Sequence, residues 1–127
     1  MTGEDLIRRL ALPGGRRDAG AARDFTSSVL RAGGVDRPGE HDAILVVSEL
    51  VTNAALHGRA PVLLEVAVDE LWVVIAVSDA GDSDPARQSP SWLSENGRGL
   101  RIVDHLAVDW RVEHGEGSKT VVVTLRR

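Results

Sequence analysis

Apolar positions along the chain recur with two spacings, and the switches between them mark out the elements. Asp5 to Leu12 (DLIRRLAL) places Leu6, Leu10 and Leu12 as a short strand would, and Pro13-Gly14-Gly15 stops it. From Arg16 to Ala32 the spacing becomes helical: Ala19, Ala22, Phe25, Val29 and Leu30 recur, and Gly33-Gly34 closes the run. Arg37-Pro38-Gly39 is a break that suits a helix entry. A second, longer helix is expected from about Glu40 to His57, with Gly58 as its stop. Val62 to Val68 and Leu71 to Val77 are β-branched and apolar, with Asp69-Glu70 between them, which predicts a hairpin. The second of these strands is apolar nearly throughout, so it belongs in the middle of a sheet, whereas the terminal strand belongs at an edge. Ala80 to Asn96 has no periodicity and predicts a long loop, with Trp92 and Leu93 as its large apolar groups. Leu100, Ile102, Val103 and Leu106 predict a short helix after Gly97-Arg98-Gly99. Val108 to Glu113 and Lys119 to Leu125 are two further strands joined by residues 114–118.

The longer helix carries the most informative pattern. With Glu49 at zero and about 100° per residue, Asn53 falls near 40° and His57 near 80°. Ile44, Val47, Val51 and Ala54 gather on the opposite side, and Leu45 and Leu56 flank the polar stripe, which suggests partial cover. A solvated helix face would place Lys or Arg four residues after Glu49, but Asn53 stands there. No Lys or Arg lies between His41 and His57. A carboxylate on a largely apolar helix needs a partner, and a metal ion or a bound ligand would supply one. The plainer reading is an amphipathic helix whose Glu and Asn face water.

Composition narrows the classes. A chain of 127 residues suggests a single domain spanning 1–127, and 43% apolar residues suffice for a core. The absence of cysteine excludes disulfides and thiolate metal sites. The start of the chain lacks the order of a signal peptide and no apolar run approaches membrane length, so a cytoplasmic protein without membrane attachment is expected. The net charge of −4 leaves no electrostatic footprint for direct nucleic-acid binding. The arginines of the first helix, Arg16, Arg17, Arg23 and Arg31, fit a solvated face.

Three pieces have a use for a nucleotide. Asp79, at the end of a buried strand and followed by Gly81, can accept a hydrogen bond from an exocyclic amine. Gly97 and Gly99, opening a helix, let backbone N–H groups approach phosphates. The oxygen of Asn53 is a hard ligand for Mg²⁺, and Glu49 one turn away can orient or deprotonate an attacking hydroxyl. Taken singly, Gly-x-Gly is a turn and a strand-ending Asp is a cap; the order of the pieces and the long loop between them carry the information.

That order is recognisable. ELVTNAALHG resembles the N box of the GHKL (Bergerat-fold) ATPases, SDAG the first glycine box and NGRGLRIVD the second. Within that superfamily the chain is most similar to the small anti-sigma regulatory factors, the switch-protein serine kinases. The resemblance implies an α/β (α+β) two-layer sandwich, with a mixed, mainly antiparallel sheet covered by about three helices. It implies ATP and Mg²⁺ between the long helix and the loop. By motif position Glu49 would be the general base and Asn53 the magnesium ligand, while Asp79 would hold the adenine amine. Gly81, Gly97 and Gly99 would shape the pocket, and His57, Arg98 and Leu100 lie within the boxes that bind the nucleotide. The first glycine box departs from Asp-x-Gly-x-Gly, because Asp82 stands in place of the second glycine.

The resemblance further implies two protein partners. One is a sigma factor that the protein sequesters; the other is an anti-anti-sigma antagonist that it phosphorylates on serine. Glu49 and Asn53 together favour such a kinase, and Asp82 favours an alternative, a non-catalytic regulatory module of the same fold. A detached ATP-binding domain of a histidine kinase fits less well, because no helical hairpin with a phosphoacceptor His precedes it. The terminal strand and first helix offer a surface for a homodimer.

Overall fold

The computed structural model describes residues 5–81 and 97–127, with side chains from Arg101 onward in the second stretch. In chain order the elements are β1 (Leu6–Leu12), α1 (Asp18–Ala32), α2 (Arg37–His57), β2 (Val62–Val68), β3 (Trp72–Asp79), α3 (Gly97–Leu106), β4 (Asp109–Gly115) and β5 (Ser118–Arg126). The strands form one sheet in the order β1-β2-β3-β5-β4, and each of its four pairings is antiparallel. The terminal strand is at an edge and β3 is central, as the apolar pattern requires. The helices cover one face, giving an α+β sandwich of two layers.

Helix boundaries follow from local chemistry. Asp36 is extended (φ −72°, ψ 171°) and its carboxylate accepts the N–H of Gly39 at 2.9 Å, so α2 begins one turn earlier than the sequence pattern suggests. Pro38 then sits in the first turn, where its missing N–H costs nothing. At the exit of α1 the left-handed backbone falls on Gly34 (φ +75°), and Gly33 stays helical. Gly117 (φ +66°) turns β4 into β5. The α1 arginines do more than meet solvent. Arg31 pairs with Glu40 at 3.1 Å and Arg23 donates to Ser48 Oγ at 3.3 Å, so both join α1 to α2.

The register of the sheet sorts its side chains. On the helix side Val68, Val73 and Leu125 form one row across β2, β3 and β5; Val66, Ile75 and Val123 form the next, and Leu64, Val77 and Val121 the third. These nine side chains are buried and meet Val46, Val47, Leu50 and Val51 of α2 and Val103 of α3 in one core. The fourth row is Val62, Asp79 and Lys119, so the apolar face ends in charge. At the opposite end of the sheet Arg127 donates to Gly33 O at 2.7 Å and to Asp69 O at 2.8 Å. Among the described residues no helix is long and apolar enough to cross a membrane.

Candidate functional site

The polar stripe of α2 and the charged row of the sheet face each other. Leu50, Asn53 and Ala54 of α2 share one small cavity with Val77 and Asp79 of β3 and Lys119 and Val121 of β5. Asn53, from the first sequence-predicted piece, and Asp79, the second, therefore line the same cavity. Asn53 is only 8% exposed, and among the described residues its carboxamide has no hydrogen-bond partner. A buried amide left in that state loses about 1–3 kcal/mol, which a ligand or an ordered water would restore.

Asp79 is 3% exposed and closely enclosed. Its Oδ1 accepts the N–H of Gly81 at 2.7 Å, and its Oδ2 lies 3.6 Å from Lys119 Nζ. A Cβ on Gly81 would lie 2.8 Å from Oδ1, and a Cβ on Gly58 would lie 2.4 Å from the carboxylate carbon. Glycine at both positions is thus a matter of space, since neither carries a positive φ. The N–H of Ala80 donates to Arg59 O at 2.8 Å, which ties the end of β3 to the chain leaving α2.

Glu49 is half-buried on the same helix, and its side chain has no hydrogen-bond partner among the described residues. His57, also half-buried, does have one. The stripe is partly covered, as expected, although Leu45 and Leu56 beside it are 37% and 67% exposed. Leu45 borders an open groove with Arg101, Ile102, His105 and Leu106 of α3. Gly97 and Gly99 fall in the first turn of α3. The side chains of Arg98 and Leu100 lie outside the described residues, as do Asp82, Trp92 and Leu93. Among the described residues no group of three or more His, Cys, Asp or Glu is placed to hold a metal ion.

Lys119 is the component that the reading by motif missed. It is 4% exposed, directly across the ladder from Asp79. The signal was present: in SKTVVVTLR, Lys119 alternates with Val121, Val123 and Leu125, which assigns it to the buried face.

The residues present suit a magnesium nucleotide in kind. A buried amide oxygen, an amine acceptor and a glycine-opened helix are the required donors and acceptors. They suit it less well in volume, because the cavity holds about 10 Å³ of free space, room for one water.

Residues 13–125 match the model of the histidine kinase-like ATPase domain, so the chain belongs to that family. Its architecture is similar to the structure described as the RsbU and RsbW domains of Rv1364c from Mycobacterium tuberculosis. That match has a TM-score of 0.72 and 24% identity, and covers 95% of this chain and 33% of the other. The chain thus spans about a third of the length of that relative. It is also similar to a chain of the SiaB-SiaC complex from Pseudomonas aeruginosa, with a TM-score of 0.62 and 14% identity over 96% of this chain and 91% of the other. No curated protein matches the sequence.

Proposed function

We propose that the chain binds a magnesium adenine nucleotide between α2 and the start of α3 and uses it in a partner switch. In that switch it sequesters a sigma factor and phosphorylates a serine of the antagonist that would release it. The observation that carries the nucleotide part is the buried carboxamide of Asn53, unpartnered among the described residues and in one cavity with Asp79. Family membership supports ATP as the nucleotide. The partner-switching part rests on the motif resemblance and on the likeness to an RsbW domain and to a protein found in complex with SiaC.

In this reading Asp79 accepts the exocyclic amine of the base, and Gly58 and Gly81 keep the space around it. Asn53 Oδ1 would hold Mg²⁺, which when bound would offset phosphate charge. The first turn of α3, with Gly97, Arg98, Gly99 and Leu100, presents backbone N–H groups to the phosphates. Glu49 accepts the proton of the incoming serine hydroxyl as the serine oxygen bonds to the terminal phosphorus and the bond to the ADP oxygen breaks. His57 lies one turn beyond Asn53 on α2.

A specific observation favours the alternative of a regulatory module without catalysis: the cavity is small and Lys119 already engages Asp79. Titration calorimetry with Mg-ATP separates the readings. Saturable heat is expected at submillimolar nucleotide, and silence at millimolar concentration would overturn the nucleotide reading. Glu49→Ala is expected to abolish phosphorylation of the antagonist while leaving ATP affinity within about threefold. Equal loss of both would mean that Glu49 is not the base.

A further inference from the structure

We propose that Lys119 is a specificity-determining residue of the base subsite: an internal cation that occupies the Asp79 carboxylate and donates to any base that enters. The inference rests on the nucleotide reading and adds a residue that the motifs do not contain.

The β3–β5 register puts the two side chains opposite each other on the buried face, 3.6 Å apart, with side-chain exposures of 5% for Lys119 and 2% for Asp79. The other carboxylate oxygen accepts the Gly81 N–H, so each oxygen of Asp79 has a partner within the protein. The same side chain lines the cavity, which has room for about one water. A purine needs more room than that, so side chains around the cavity must shift for one to enter. The flexible four-carbon stem of Lys119 lets it swing aside, whereas the backbone N–H of Gly81 is fixed.

Two consequences follow from the chemistry. First, an incoming neutral amine must displace an ion pair at 3.6 Å, so base binding is weaker than a carboxylate alone would give. Second, the subsite offers a donor beside its acceptor. Adenine meets it with its N6 amine on Asp79 and N1 facing Lys119. Hypoxanthine, with O6 in place of the amine, meets it equally well with O6 on Lys119 and N1–H on Asp79. A carboxylate without the lysine would repel O6. Lys119 therefore makes the subsite tolerant where Asp79 alone would be selective.

The test uses adenosine and inosine, which lack phosphates and report the base subsite alone, titrated into the wild-type protein and into variants. For the wild type the two affinities are expected within about threefold of each other. In Lys119→Thr adenosine should bind about tenfold tighter and the adenosine-to-inosine ratio should rise by about tenfold or more. Lys119→Arg should retain the wild-type ratio. Melting curves run alongside, and if Lys119→Thr fails to fold, Lys119→Met, which keeps the stem and removes the charge, carries the same expectation. A ratio unchanged in the neutral variants overturns the role of Lys119 and leaves the nucleotide reading standing. No binding of adenosine or Mg-ATP by any of the proteins overturns both.

Discussion

Asp79 is approached from three sides: by Gly58, by Gly81 and by Lys119. The two glycines leave no room for a methyl group, so Gly58→Ala must displace the carboxylate or the backbone beside it. A cost of about 1–3 kcal/mol is expected in urea denaturation, together with loss of nucleotide binding. Asn53→Ala works in the other direction. It removes a buried amide that has no partner among the described residues, so the unliganded protein should lose little stability, or gain some. The magnesium-dependent part of nucleotide affinity should vanish with it, read as equal affinities with and without Mg²⁺. A large loss of stability without any change in magnesium dependence would reassign Asn53 to the structure alone.

At the scale of elements, α2 is held by its cap and by α1. Asp36→Ala removes the acceptor for Gly39 N–H and should cost about 1 kcal/mol, measured by thermal melting. Glu40 is tied to α1 by hydrogen bonds from Arg31 and Ser27. The Arg31 bond, the Ser27 bond and the positive charge of Arg31 hold its carboxyl below the ordinary value of 4.5, against some desolvation. A carboxyl lowered on folding contributes stability above its unfolded value and loses it as pH falls through the folded one. The stability difference between the wild type and Glu40→Gln should therefore be present at neutral pH and shrink below about pH 4.5.

The same elements show what the sequence made legible. Periodicity located the elements and put β3 at the centre, because burial on a face imposes a spacing that local residues cannot disguise. It missed the first turn of α2, where the decisive contact is a single Asp36 carboxylate. It expected the polar stripe to be partly covered, and it is, with Asn53 8% exposed, although the flanking Leu45 and Leu56 are themselves exposed. It left Lys119 in the roll of ordinary strand residues, because what makes that side chain distinctive is its partner in the register, forty residues away in the chain.

At the scale of the molecule, three rows of apolar side chains carry the core and the fourth holds the buried Asp79–Lys119 pair. Ile75 lies in the middle row and is fully buried, so Ile75→Ala is expected to cost about 2–5 kcal/mol and to lower the urea midpoint without changing base selectivity in the protein that remains folded. Lys119→Met, in the fourth row, should instead move base selectivity.

Arg127 bears on how such experiments are mounted. Its guanidinium grips the exit of α1 and the β2–β3 turn, at the pole of the sheet farthest from Asp79. A fluorophore placed at that pole would sit at the end of the sheet opposite Asp79. Signals recorded through it should report what enters the cleft without obstructing the way in.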